Sequence, residues 1–285
     1  MGRRMAINLV KAGFRLKVHD IDRVSVDSLV AEGAEDAGSL AGAADSDVVI
    51  TMLPDTPDVE AVIFGSDGLA SAMAPGSALI DMSSISPIAT RTIAARLAEQ
   101  GIGMLDAPVS GGFQGAETGT LSIMVGGDEE LLERCRPILA AMGKTVSHIG
   151  GAGAGQVCKV CNQVAVAINI QAVAESLTLA KKCGVDPQKV REALLGGFAR
   201  STALDLHGQR VLDGNFAAGF RVTLQRKDLK LALETGSATD TPLPASALIQ
   251  QLYGILSATG RADLDNSSLA LLLEEMSGLR AGGDG

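Results

Sequence analysis

The sequence predicts an α/β domain over residues 1–150 followed by an all-helical domain over residues 151–285. Three observations predict it. Short β-branched or apolar runs alternate with helical stretches through the first half, the pattern of βαβ units and a mainly parallel sheet. Strand signals cease after about Gly151, and a chain of 285 residues is longer than one hydrophobic core usually encloses.

The expected strands are Leu16 to His19, Val48 to Met52, Ala78 to Asp81, Gly103 to Asp106, Ser122 to Val125 and Thr145 to Ile149. Helix punctuation lies between them. Gly13 stands where an opening helix ends, and Ser86-Pro87 pairs an N-cap residue with a proline suited to the first turn. Beyond the glycine-rich boundary at 150–155, helices are expected over Gln156 to Cys183, Pro187 to Leu195, Thr223 to Glu234, Leu243 to Ala258 and Ser267 to Met276. The first of these is apolar around most of its circumference, which predicts burial on several sides. Such a helix meets either its own chain all round or a partner subunit as well, so a homo-oligomer, a dimer or tetramer, is expected.

Composition narrows the function classes. With 34 glycines, 46% apolar residues and only 2% aromatics, the chain suits close-packed helices laid on a sheet. Its net charge is −9 and its Lys and Arg are scattered, so nucleic acid is not an expected partner. Asn169, Gln171 and Glu175 interrupt the most apolar stretch, and no basic segment followed by an apolar run opens the chain; neither a membrane span nor secretion is expected, and the cytoplasm is the expected location. Cys158 and Cys161 form a CxxC without a second pair. Together with Cys135 and Cys183 they are read as small buried residues of a reducing compartment, and no metal site is expected.

A dinucleotide-binding fold of the Rossmann type opens with a strand, a GxGxxG turn and a helix whose N-terminus receives the pyrophosphate. Here Gly2 and the helix after it correspond to the third glycine and its helix, with the first strand and two glycines ahead of them lacking. A start codon placed too late, or a truncated clone, is the expected cause; a stop codon in frame directly before Met1 would count against it. Asp20 follows the strand at 16–19, where an acidic residue accepts hydrogen bonds from the adenosine ribose and repels a 2′-phosphate. That favours NAD over NADP. The plainer alternative is that Asp20 begins a turn with Asp22, and Arg23 lies close enough to leave NADP open.

Two segments carry the chemistry. Asp106 to Gly112 ends a predicted strand, where ligand sites of α/β folds open; Ser110 offers a hydroxyl, and Gly111 and Gly112 let backbone amides approach a carboxylate. An ordinary Ser-Gly-Gly turn is the plainer reading of that tripeptide. In the second segment, offsets of three and four place Asn162 and Gln163 on the helix face of Lys159. Most helix lysines face solvent, but Val157, Cys158, Val160 and Cys161 flank this one, which predicts a partly desolvated amine able to exchange a proton near operating pH.

These residues resemble the 3-hydroxyisobutyrate dehydrogenase-related β-hydroxyacid dehydrogenases. The resemblance spans nearly the whole chain, through Thr51 to Pro54, Asp81 to Ser84, Asp106 to Gly112, Gly119 to Ser122, Gly153 to Gln163, Gly219-Phe220 and Lys227-Asp228. It implies that Lys159 is the catalytic lysine and that Ser110, Gly111, Gly112, Asn162 and Gln163 hold substrate. It implies further that Gly2, Asp20, Met52, Leu53, Pro54 and Ser84 serve the cofactor, and that Lys227, otherwise a solvated charge on an amphipathic helix, reaches its side of the cleft. The implied reaction moves a hydride between NAD(P)H and a small carboxylate-bearing aldehyde or hydroxy acid, Lys159 giving or taking the proton. Relatives acting on hydroxyisobutyrate tend to carry two asparagines where this chain has Asn162-Gln163, which points to tartronate semialdehyde and glycerate. Hydroxyisobutyrate, succinic semialdehyde or glyoxylate chemistry is the alternative, and a non-catalytic helical scaffold is the alternative of another class.

Overall fold

A computed structural model describes residues 1–279; the expected second domain extends to residue 285, so residues 280–285 lie outside the described ones. The chain divides after Lys159 into two units, Met1–Lys159 and Val160–Gly285.

The first unit contains, in order, α1 (Gly2–Lys11), β1 (Lys17–Val18), α2 (Arg23–Val30), β2 (Glu35–Asp36), α3 (Leu40–Ala44), β3 (Val48–Thr51), α4 (Thr56–Phe64), β4 (Ala78–Asp81), α5 (Pro87–Ala98), β5 (Gly103–Asp106), β6 (Val109–Ser110), α6 (Gly112–Thr118), β7 (Leu121–Gly127), α7 (Glu129–Met142) and β8 (Gly143–Gly150), and it holds the start of α8 (Ala154–Lys182). Local chemistry sets the helix limits. Gly13 takes a positive φ of 86° and lets the amide of Phe14 reach back to the Leu9 carbonyl, closing α1 as the sequence predicts. At the start of α5 the Ser86 hydroxyl accepts from the Ala89 amide, with Pro87 in the first turn.

β3, β4 and β5 pair in parallel, and Asp81 stands directly across from Asp106. Beyond β5 the sheet turns mixed: β7 runs antiparallel to both β5 and β6, while β8 returns parallel to β7. The mainly parallel expectation therefore fails at this edge, because the link from β5 to β7 uses β6 and a seven-residue helix instead of a full crossover helix. On the other side, β1 pairs in parallel with β2 as a separate two-stranded sheet. In the doubly wound order a strand leading into α1 would lie between β1 and β3, and among the described residues none does. Met5 and Leu9 of α1 pack into a core that also takes Leu16, Val48, Ile50 and Met52, so one apolar layer serves both sheets.

In the second unit α8 continues beside α9 (Pro187–Leu195), α10 (Thr202–Leu212), α11 (Val222–Ala238), α12 (Pro244–Ala258) and α13 (Leu269–Met276). Ala167, Ile170, Val173, Ala174 and Leu177 of α8 enter the cores of this unit, with Leu229, Tyr253 and Leu269 among their neighbours. By length and composition α8 is apolar enough to cross a bilayer. It nonetheless keeps Lys159, Gln163 and Gln171 buried, as a core helix does. Its opposite face is exposed at Cys161, Ala165, Ile168, Ala172 and Leu179, so the expected burial on several sides stops short of the full circumference. The cysteine expectation also needs correction: Cys135 is buried, but Cys161 and Cys183 are exposed and Cys158 is half-buried. A small side chain can stand on either helix face, so residue type alone does not settle its burial.

Candidate active site

At the carboxyl ends of the strands, two segments flagged in the sequence are laced together. The Thr51 hydroxyl donates to Asp81 Oδ1 at 2.8 Å, the Ser83 amide donates to the same oxygen, and the Leu53 amide donates to the Ser83 hydroxyl at 2.8 Å. Buried hydrogen bonds of this kind fix the backbone of Met52, Leu53, Pro54 and Ser84. Gly2 lies beside Met52: a Cβ at Gly2 would sit 3.6 Å from that side chain. The first turn of α1 has no side-chain cap and no acidic residue, and it carries Arg3 and Arg4. The amides of Arg4 and Met5 turn back to the Met1 carbonyl and Arg4 lies over Phe113 near Glu117, but no side chain covers the amides of Gly2 and Arg3, so this helix start fits the anionic part of a dinucleotide. Asp20 lies past the end of β1, exposed, and its Oδ1 accepts the Asp22 amide at 2.9 Å, the turn that the sequence allowed. Arg23 pairs with Asp36 at 2.8 Å and Asp27 at 3.3 Å.

Ser110 ends β6, half-buried, and leads to Gly111 and Gly112 with φ of 132° and 60°. Side-chain-bearing residues rarely adopt such values, so the loop requires glycine at both positions. A Cβ at Gly111 would press on Leu121 at 3.2 Å, whereas the space beside Gly112 is open. No side chain caps the start of α6 there.

Lys159 is only 8% exposed, and its Nζ donates to the Val109 carbonyl at 2.9 Å. That bond sets the amine next to the residue preceding Ser110. The apolar neighbours thus predict its burial correctly, although Cys161 faces outward. Burial withdraws the amine from bulk water and leaves it able to serve a developing alkoxide.

The start of α8 is itself anchored by a residue whose role the sequence did not reveal. Asp106, 1% exposed, accepts the Gly153 amide at Oδ1 (2.7 Å) and the Gln156 amide at Oδ2 (2.8 Å). Burial pushes its carboxyl up to about 6, opposed by those two amides, with the Asp81 charge across the strand pair adding to the rise. Gln156 adds a second tie, donating to the Ser83 carbonyl at 2.8 Å and accepting the Ile85 amide at 3.2 Å. One signal was available: Gly151-Ala152-Gly153 precedes the helix with no Ser, Thr, Asp or Asn to cap it, so its first amides needed a distant acceptor.

In the second unit Gln163 is buried, donating to Asp228 Oδ2 at 2.5 Å and accepting from Asn162 Nδ2 at 2.8 Å. Lys227 pairs with Asp228 Oδ1 at 3.0 Å, and its side chain is 15% exposed, so it is not the solvated charge that its helix pattern allowed. Gln163 therefore orients Asn162 through its own carboxamide. A cleft of about 690 Å³ also opens in the first unit, at the amino ends of β3 and β4 beside Ser46, Ser77 and Arg134, the opposite end of these strands from Ser83 and Asp106.

Fold and site define a nicotinamide-dependent oxidoreductase. Residues 1–150 match the NAD binding domain of 6-phosphogluconate dehydrogenase, and residues 153–273 match the family described as NAD-binding of NADP-dependent 3-hydroxyisobutyrate dehydrogenase. The chain is 48% identical to 2-hydroxy-3-oxopropionate reductase of Escherichia coli K12, over 97% of this chain and 94% of that one. It is 40% identical to the NAD-dependent L-serine dehydrogenase of Pseudomonas aeruginosa, over 98% and 96% of the two chains. Among solved structures, 3-hydroxyisobutyrate dehydrogenase of Mycobacterium tuberculosis with L-serine superposes with a TM-score of 0.89 at 35% identity, over 96% of this chain and 95% of that one. This protein belongs to the 3-hydroxyisobutyrate dehydrogenase-related family of NAD(P)-dependent β-hydroxyacid dehydrogenases.

Proposed function

We propose that this dehydrogenase reduces 2-hydroxy-3-oxopropionate (tartronate semialdehyde) to glycerate, with Lys159 as the proton donor. The observation that carries the reading is the buried Lys159 amine on the Val109 carbonyl, beside Ser110. The bound nicotinamide supplies the hydride. Lys159 delivers a proton to the substrate oxygen as charge develops there, and takes it back in the oxidative direction. The substrate carboxylate lies against the Ser110 hydroxyl and the amides of Gly111 and Gly112, and Asn162 orients the reacting oxygen. The 48% identical reductase and the Asn162-Gln163 pair favour this substrate.

The residues proposed to hold the cofactor are Gly2, Asp20, Met52, Leu53, Pro54, Ser84 and Lys227. Asp20 disfavours a 2′-phosphate, and Asp27 and Asp36 occupy the guanidinium of Arg23, so NAD is the proposed cofactor. The exposed apolar face of α8 supports a homo-oligomer, and the four free cysteines suit a reducing cytoplasm. Oxidation of L-serine or 3-hydroxyisobutyrate is the second reading, favoured by the names of the relatives in Pseudomonas and Mycobacterium.

Initial rates of NADH and NADPH oxidation with tartronate, succinic and methylmalonic semialdehydes and glyoxylate test the assignment. Highest kcat/KM for tartronate semialdehyde with NADH is expected. A preference for another aldehyde moves the assignment within the family.

A further inference from the structure

Resting on the assignment of Lys159 as proton donor, we infer that Asp106 is the positioning residue for that lysine. Its carboxylate grips the first turn of the helix that bears Lys159 and thereby sets the amine on the Val109 carbonyl.

Three observations within the first unit carry this. First, the two oxygens of one carboxylate take two amides of the same helical turn, Gly153 and Gln156, at 2.7 and 2.8 Å. Such a grip fixes direction as well as distance, and no residue next to the helix start duplicates it. Second, glycines permit the approach. A Cβ at Gly155 would lie 2.4 Å from the Met124 carbonyl oxygen and 2.6 Å from that of Asp106; one at Gly126 would lie 2.5 Å from Asp106 Oδ1. The helix start therefore rests directly on the end of β5 and on β7 at Met124 and Gly126, with no room for a side chain between. Third, Lys159 follows Gln156 by three residues, about 4.5 Å along the axis. A shift of the first turn is passed to the amine with little loss, because helix backbone does not absorb it. The raised carboxyl of Asp106 fits the same account, since burying this group is unfavourable apart from the two amides that it accepts.

Asparagine at 106 keeps one acceptor and turns an N–H₂ toward the second amide, so the grip loosens at one point. The test is a double-mutant cycle on the full chain with tartronate semialdehyde and NADH. Asp106→Asn is expected to lower kcat about tenfold or more, with the NADH Kd within about twofold. In a Lys159→Ala background the same substitution is expected to change kcat less than about twofold, because a residue that acts through the lysine has nothing left to position. Equal losses in both backgrounds, or unchanged kcat in the single variant, overturn the inference. Full activity of Lys159→Ala would instead overturn the assignment of the proton donor. Asp106→Glu, which keeps the charge but pushes the helix start outward, is carried through the same cycle and read by the same criteria, so poor folding of one variant does not leave the question open.

Discussion

Replacing Gly155 by alanine probes how closely the helix that bears Lys159 must seat. The new Cβ would lie 2.4 Å from the Met124 carbonyl oxygen, 2.6 Å from the Asp106 carbonyl oxygen and 2.9 Å from Asp106 Oδ2, where ordinary contact begins near 3.4 Å. Two of these atoms are backbone of adjacent sheet strands and cannot swing aside, so the start of α8 recedes by about 1 Å. Lys159 lies one turn later and moves with it. Overpacking of this kind costs about 1–3 kcal/mol, offset by up to about 1 kcal/mol from the better helix propensity of alanine. A displacement of about 1 Å at the reacting group costs on the order of 10²-fold in rate. Turnover should therefore fall far more than stability does. The assay is kcat with tartronate semialdehyde, with NADH Kd by fluorescence titration and a thermal melt alongside. Gly151→Ala is the control, since its Cβ would meet nothing within 4 Å. A Gly155→Ala enzyme with kcat within twofold of wild type would refute the claim that this contact sets the lysine.

A further prediction concerns stability. Asp265 in the second unit is buried and would be pushed up by burial, but the His207 ring 3.6 Å away and hydrogen bonds from the Ser267 hydroxyl and the backbone amides of Phe220 and Ser267 hold it well below the usual carboxylate range. A depressed carboxyl stabilises the fold above its unfolded value of about 3.8 and loses that contribution as pH falls through the folded value, so the chain should weaken steeply below about pH 4. Asp265→Ala, which leaves several buried donors unmatched, should cost about 3 kcal/mol at neutral pH and flatten this acid limb in denaturant titrations; an unchanged midpoint would reject it.

The parts legible in the sequence were those written in local chemistry. The strands at 78–81 and 103–106, the glycine stop at Gly13 and the Ser86 cap each follow from neighbouring residues, and the structure reproduces them. Burial of Lys159 was legible because its helical neighbours are apolar. Other elements left weaker marks. β2 consists of two exposed acidic residues, and α10 contains His207 and Gly208, the latter leaving room for Arg191, whose side chain a Cβ there would meet at 3.2 Å. The grip of Asp106 joins residues about fifty positions apart, so no local period records it. Its trace was an absence: a long helix whose start has no cap of its own. Gln163, too, shows a partner that spacing could not supply, because Asp228 comes from another helix.

The most direct trial of the account is a single-turnover measurement of NADH oxidation by the wild-type enzyme and by Lys159→Ala, at saturating tartronate semialdehyde. The account predicts a loss of about 10²-fold or more in the variant with NADH affinity nearly unchanged. A variant that oxidises NADH within a few-fold of the wild-type rate would contradict it.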